Sequence, residues 1–536
     1  MRTGEQLRSI VIVLAACVLI ALVARPLLLG GIYCIDDLNG FHLPLRIFYA
    51  DCLRQGRSFD WCPGLFCGFY LQGEGQVGMY HPLHLLLYRV LPLIPAFNLE
   101  LLLNYPALLL GQFYLLHRWG VRRDASWFGA LVFALSGFPI FHYIHINALS
   151  VIAHIPWLLV GIDEIARGQD PRRLAWARLA VALLTTSEIL MGYPQYVWLS
   201  LLVEASYALL AWRGSGTGLG RLWSIAAAKG LGILGGGVQL LPTWDLLRLS
   251  VRESPSPSFL AIGSLHPANV LQWIAPYLYK TLVFAPSFQV DAALTPAAET
   301  IEDARVKEFG LYSGAMVPVL VAWYLSRSRG GGEGRSRRLG RGALVLGVMA
   351  LLLAFGGYTP LFRLTSRLPV LRLFRVPARY LILVHLATSV LAALGFAELA
   401  RGGGKARWRS LWPVAAVAAA SVLAVVAIRL LARRWPETLL RPALGSGVDL
   451  AISAGLVIGA AALVIAVARG YRGALLGIAL FAAVDQGLYA KKYLGVAWIL
   501  NLEIYRTLRP MPAVPPDQRI ATLNPWDNGH LIYGRG

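Results

Sequence analysis

The chain has 536 residues; 57% are hydrophobic and only 14% are charged. A soluble domain carries about 25% charged residues, so soluble, fibrous and disordered classes are excluded, and the long unbroken apolar runs exclude a transmembrane β-barrel. What remains is an all-α polytopic membrane protein, and its net charge of +21 reads as arginine gathered in cytoplasmic loops rather than as a nucleic-acid surface.

The first apolar run extends from Ser9 to Gly30. It is too long for a signal-peptide core, and no small-residue cleavage site follows it. It therefore reads as an uncleaved first helix, with Arg2 and Arg8 placing the N-terminus in the cytoplasm. Residues 31–98 hold no clean span and read as a large first external loop with interfacial helices. Within it the apolar stretch 83–95 is too short to cross. Cys34, Cys52, Cys62 and Cys67 lie in this loop and are open to pairing or to remaining thiols.

Further spans are predicted near 99–117, 126–142, 149–166, 175–192, 195–212, 222–243, 311–326, 342–357, 380–399, 411–431, 450–468 and 473–490. With the first helix they make about 13 transmembrane helices, each near the ~20 residues a bilayer needs. Loops predicted inside carry Arg118, Arg122 and Arg123, then Arg167, Arg172, Arg173 and Arg178, then Arg213 and Arg221. The Gly/Arg-rich loop 327–341 follows the same pattern and suits a flexible linker. A transmembrane domain over 1–490 thus has external loops at 31–98, 244–310 and 358–379, with a short external tail at 491–536. No internal repeat is evident, so an inverted-repeat transporter gains no support.

Four groups of residues could carry chemistry. Asp36 and Asp37, in "YCIDDLNGFHLPLR", leave the first helix at the water–lipid boundary. A partly desolvated carboxylate there is a better base; the plain alternative is an N-cap of the next interfacial helix. The body of the loop gathers aromatics with Glu74, Gln76, Tyr80, His81 and His84, a surface able to stack a sugar and bond its hydroxyls, or simply an interfacial aromatic belt. Arg363, Arg367, Arg372, Arg375 and Arg379 fall on the predicted outer side, against the positive-inside trend. Their planar forks suit a lipid phosphate, or anionic lipid in general. Finally, His142, His145, Glu188, Tyr193, Gln195, Glu204, Gln239, Asp245 and Asp485 lie in or near spans, where polar groups face a cavity or pair with one another. No P-loop, zinc-protease helix or dinucleotide fingerprint occurs, so no nucleotide cofactor is expected and an activated substrate has to arrive through the membrane.

The order of these motifs resembles the bacterial YfhO-like membrane proteins, within the wider GT-C class of glycosyltransferases. The first-loop progression is carried by Asp37, Pro44, Gly56, Trp61, Pro63, Gly68, Gln76, Tyr80 and Pro82. Later matches are "GYPQY" at 192–196, "VQLLPTWDLLRLSVRES" at 238–254, "SLHPANVLQWIAPYLY" at 264–279, "EFGLYSGAMVPVLV" at 308–321 and "LRLFRVPARYLIL" at 371–383. His81 before Pro82 departs from the family pattern, and family members often continue into a longer external C-terminal region.

The resemblance implies sugar transfer outside the cytoplasmic membrane of a bacterium, from a polyprenyl-phosphate-linked donor to an envelope polymer, lipid or protein. By motif position the catalytic base is Asp36 or Asp37. Arg372, Arg375 and Arg379 are expected at the donor phosphate, and Glu74, Gln76, Tyr80, His81, Tyr193 and Gln195 at the substrate. The reaction is expected to invert the sugar; the class leaves a divalent metal open. The rival expectations are a transporter or flippase of lipid-linked saccharide and a non-catalytic assembly subunit.

Overall fold

A computed structural model describes residues 2–35, 37–66, 68–279, 306–327, 334–402, 406–434, 444–494 and 498–501. Its helices begin with α1 (Arg2–Leu28), α2 (Leu43–Gln55), α3 (Pro82–Val90), α4 (Leu93–Leu102), α5 (Asn104–Arg118) and α6 (Arg123–Ala134). They continue with α7 (Gly137–Phe141), α8 (Ile146–Arg167), α9 (Pro171–Met191), α10 (Pro194–Arg213), α11 (Gly220–Gly235) and α12 (Gly237–Arg248). Further long helices are Gly334–Ala354, Leu381–Arg401, Trp408–Arg434, Gly447–Ala468 and Ala474–Leu494.

Among the described residues, 8 helices are long and apolar enough to cross a membrane, or up to 10 if each of two bent pairs is one span. The protein is a polytopic helical membrane protein; by length and hydropathy alone, helices among the described residues match ten of the 13 expected runs. Three of the expected runs are helical without qualifying. Met316–Arg327 has only 12 residues. Gly334–Ala354 devotes its first turns to Arg335, Arg337, Arg338 and Arg341, and α10 carries Gln195, Glu204 and Arg213 along its length. Conversely, α4 and α5 together form the span Leu93–Arg118, which draws 93–98 out of the expected loop.

The chain divides into two compact units. The first comprises 1–20, 112–141 and 255–495; the second comprises 21–111, 142–254 and 496–536. In the first unit α6 packs on Leu381–Arg401 through small residues: a Cβ on Gly129 would stand 2.8 Å from Ala393 Cβ. Close approach of this kind holds helices together in lipid. Arg8 Nε lies 2.8 Å from Asp124 Oδ2, and Arg122 Nε 2.6 Å from Asp124 Oδ1. Two arginines expected on the same side of the membrane therefore do meet.

The second unit is built on α8, α9, α10 and α11. Pro at the first helical position starts α9 and α10, where its missing N–H costs nothing. The first loop folds onto this bundle around Leu45, Tyr49, Cys62, Leu71, Met79 and Tyr88. Two short antiparallel pairs complete it: β1 (Ile32–Cys34) with β4 (Trp498–Leu500), and β2 (Trp61–Cys62) with β3 (Phe69–Tyr70). Part of the expected tail is thus a sheet partner of the loop. Cys52 and Cys62 are free thiols, while Cys67 lies outside the described residues.

Candidate functional site

The bundle of the second unit has two distinct ends. At one, Arg221 Nη2 donates to Gly168 O at 3.0 Å and Arg167 Nε lies 3.3 Å from Asp163 Oδ1, so the arginine-rich loops 167–173 and 213–221 come together. The other end of α8, with its 22 residues, lies about 33 Å away at 1.5 Å per residue. There the chain places His145, the turn 191–195 and the first external loop.

Asp37 belongs to this far end. It precedes a single π-turn, Leu38–His42, but its side chain makes no capping hydrogen bond. The cap expected as the plain alternative is not formed. Instead Asp37 Oδ2 lies 3.1 Å from His145 Nε2, with the Asp37 side chain 49% exposed and that of His145 only 7%. The imidazole N–H thus orients one carboxylate oxygen from beneath while the group stays open to solvent. π-Turns of this kind are frequent at functional sites. Asp36 lies outside the described residues.

Around His145 the rings of His142, Tyr193 and Tyr196 gather. Centroid distances are 5.4 Å for His142–His145, 6.0 Å for His145–Tyr193 and 4.9 Å for Tyr193–Tyr196. Gln195, buried on the first turn of α10, belongs to the same end. Among the described residues the buried Nδ1 of His145 has no hydrogen-bond partner. His142 and His145 belong to a group of side chains able to hold a divalent metal, and no step below runs through a metal.

Tyr193 is held in the left-handed region, φ 66° and ψ 69°, which costs a non-glycine residue about 1–3 kcal/mol. Its neighbours fix it there. Tyr193 N donates to Gly75 O at 2.5 Å, and Asn147 Nδ2 donates to Met191 O. Gly192, at φ +88°, has no room for a side chain: its Cβ would stand 2.7 Å from Gly75 O. The loop segment 72–75 is fastened to α12 as well, where Gln239 Nε2 donates to Gln72 O at 3.0 Å. Thus "GYPQY" and the loop body, separate in sequence, form one wall.

The other expected substrate residues divide. Glu74 accepts from Gln76 N at 3.2 Å; burial raises its pKa, and the Gln76 hydrogen bonds pull it back. Tyr80 turns its hydroxyl to Asp60 and meets the Phe59 ring at a tilt, centroids 5.1 Å apart. His81 caps α3, accepting Leu83 N on Nδ1, and its Nε2–H reaches Ser187 Oγ at 2.8 Å. His81 and Tyr80 are therefore engaged in holding the loop rather than lying beside Asp37.

Burial, above all, lowers the pKa of both His42 and His81 to about 3; at His42 the Asp37 carboxylate opposes this and Arg46 adds to it. Both rings are neutral in the fold. An unfolded chain, near 6.5, binds more protons between those values, so stability is lost as pH falls from about 6.5 towards 3. The unfolding midpoint should drop between pH ~7 and ~5; an unchanged midpoint rejects the assignment.

The arginine cluster belongs to the first unit. Arg379 Nε and Nη2 donate to Glu308 Oε1 at 2.9 and 2.8 Å, so Glu308 balances its charge. The Arg375 guanidinium sits 5.6 Å over the Phe259 ring, and Arg372 is exposed. Between Arg375 and Arg379 stands Val376, a β-branched residue at φ +63°, clamped where its N–H meets Ile262 O at 2.9 Å. Tyr193 and Val376 share the same arrangement, each left-handed immediately before the proline that opens a helix.

No family model matches the chain, and no curated protein matches it. Among solved structures, it is similar to ArnT from Cupriavidus metallidurans in the apo state, with 14% identity and a TM-score of 0.43 over 89% of this chain and 77% of that one. It is similar to the same protein bound to undecaprenyl phosphate, with 13% identity and a TM-score of 0.42 over 90% and 77%. It is also similar to the arabinofuranosyltransferase AftD from Mycobacteria, with 16% identity and a TM-score of 0.39 over 72% of this chain and 25% of that one. Likeness at this level leaves the chemistry to the residues.

Proposed function

We propose that this protein is a membrane glycosyltransferase of GT-C type. It takes a sugar from a polyprenyl-phosphate donor and passes it to a cell-envelope acceptor at the outer face of the cytoplasmic membrane, with Asp37 as the base. The observation that carries the reading is the pairing of Asp37 with buried His145 at the end of the bundle remote from the arginine loops. An exposed aspartate doing nothing but capping a helix would not need a buried imidazole aimed at it.

In the proposed reaction an acceptor hydroxyl attacks the anomeric carbon from the face opposite the phosphate. Its proton goes to the Asp37 carboxylate, the new glycosidic bond forms, and the old C–O bond breaks with its electron pair leaving on the lipid phosphate. The phosphate is already a good leaving group, so one carboxylate suffices where hydrolases need two. His145 donates to Asp37 and holds the accepting oxygen in place. Tyr193 and Gln195 stand where sugar hydroxyls would be read.

The phosphate role of Arg372, Arg375 and Arg379 is a separate part of the proposal. Glu308 balances Arg379, which positions the segment, and the phosphate role is proposed for Arg372 and Arg375. Incubating the purified protein with a panel of lipid-linked sugars should release polyprenyl phosphate from one of them. Removing a charge-assisted bond of about 1.5–3 kcal/mol in Arg375→Ala should raise the donor KM about tenfold or more, whereas Arg379→Ala should lower the yield of folded protein. Donor affinity unchanged in both Arg372→Ala and Arg375→Ala rejects the phosphate role; no release from any donor rejects the enzyme.

A second reading, translocation of a lipid-linked saccharide, draws on the charges Lys229 and Glu204 within α11 and α10, since ionised groups inside spans mark transport paths. The same assay separates the two, because a translocator leaves its lipid-linked sugar intact.

A further inference from the structure

Three ionisable side chains meet inside the second unit, away from Asp37. Lys229 Nζ of α11 lies 2.6 Å from Glu204 Oε2 of α10 and 3.1 Å from Glu188 Oε1 of α9. Their side-chain exposures are 11%, 3% and 0% respectively, and the helices lie among the apolar segments. Ser200 Oγ donates to Glu204 Oε1 at 2.7 Å. Among the described residues, Glu188 Oε2 is buried with no hydrogen-bond partner, and Glu204 Oε2 meets Lys229 as a charge contact without a formed hydrogen bond. From α8, the neighbouring titratable group is His154. Its Nδ1 reaches Ser150 O and its Nε2 reaches Ser187 Oγ, both at 2.8 Å. A carbonyl only accepts, so Nδ1 carries the His154 proton, and the ring is neutral with its lone pair turned to the serine.

Charge counting then decides the state of the cluster. Two carboxylates against one ammonium leave one negative charge uncompensated, and a buried charge without a partner is strongly disfavoured. One bound proton makes the group neutral. The two acids compete unequally for ionisation: Glu204 has one oxygen on the Ser200 hydroxyl and the other in the closer charge contact with Lys229, whereas Glu188 takes the Lys229 hydrogen bond on Oε1 and has neither a cation nor a donor on Oε2.

We propose that Glu188 is a membrane-embedded proton-binding site, carrying a proton on Oε2 at neutral pH while Lys229 and Glu204 form the ion pair beside it. The site lies one helical turn before the Gly192–Tyr193 turn that lines the Asp37 end, so loss of the proton would place a bare charge under that turn. It does not depend on the glycosyltransferase reading.

The test is infrared difference spectroscopy on the full-length protein in lipid bilayers at neutral pH. The C=O stretch of a protonated carboxylic acid should be present in the wild type and lost, to the extent of one carboxyl group, in Glu188→Gln. Glu204→Gln should lose it too, because Glu188 then ionises against Lys229. Lys229→Met should double it. No band lost in Glu188→Gln overturns the proposal, and a band kept in Glu204→Gln overturns the coupling of the two acids through Lys229. Glu188→Gln and Glu204→Gln keep size and packing, so the comparison survives even if Lys229→Met does not fold.

Discussion

Asp37→Asn should abolish sugar transfer while leaving the protein expressed, extractable and unchanged in its unfolding midpoint. Asparagine has the shape of aspartate and can still accept from His145, but it cannot take a proton from the acceptor. A positioned general base is worth about 10²–10⁴-fold, and a loss of that size should fall on kcat, with donor affinity preserved. Stability should hold because Asp37 is half exposed and caps no helix. His145→Gln, which keeps a donor in place of the ring, should retain part of the activity, while His145→Phe should lose most of it. Asp36→Asn is the paired variant: activity lost there and kept in Asp37→Asn moves the base by one residue. Near wild-type turnover in both removes the base from this dipeptide.

The parts of this site that could be read from the sequence are those carried by local chemistry. "GYPQY" announces a turn followed by a helix opened by proline, and the acidic dipeptide announces a helix exit. Neither shows that Asp37 meets His145, because that contact depends on how the loop folds over α8. The left-handed Tyr193 was equally hidden: nothing in a tyrosine encodes positive φ, which is imposed by Gly75 O and the crowding at Gly192. Arg379 looked like a free cation until Glu308, 71 residues away, closed on it. The span count is legible only in part. Hydropathy finds apolar runs, and Met316–Arg327, Gly334–Ala354 and α10 are apolar in part, but length and charge decide whether a run can cross. Glu100 is the residue that could have been found and was not, since a lone acid in an apolar run calls for a buried partner.

Glu100→Gln is therefore expected to be the most damaging single substitution away from the proposed base. Arg46 Nε reaches Glu100 Oε2 at 2.9 Å and Nη2 reaches Oε1 at 2.5 Å, a two-pronged pair. The side chains are 2% and 1% exposed. Tyr88 adds its hydroxyl to Oε2 at 2.6 Å, and Arg46 donates onward to Val77 O. One pair thus ties α2, α3 and α4 to the loop strand that leads to Gly75 and the Tyr193 turn. Removing one partner of a buried pair costs about 3–5 kcal/mol, because the other charge is stranded; replacing both by apolar groups can be neutral. Glu100→Gln should lower the unfolding midpoint and the yield sharply and reduce activity with it, unlike Asp37→Asn, which leaves the fold intact. Arg46→Met combined with Glu100→Leu should recover much of the stability, though not the anchor on Val77, so its activity should stay low. Unfolding of Glu100→Gln at the wild-type temperature would mean that the pair is not what fastens the loop. In that case the position of Asp37 would rest on His145 and the apolar packing around Tyr49 and Leu71 alone.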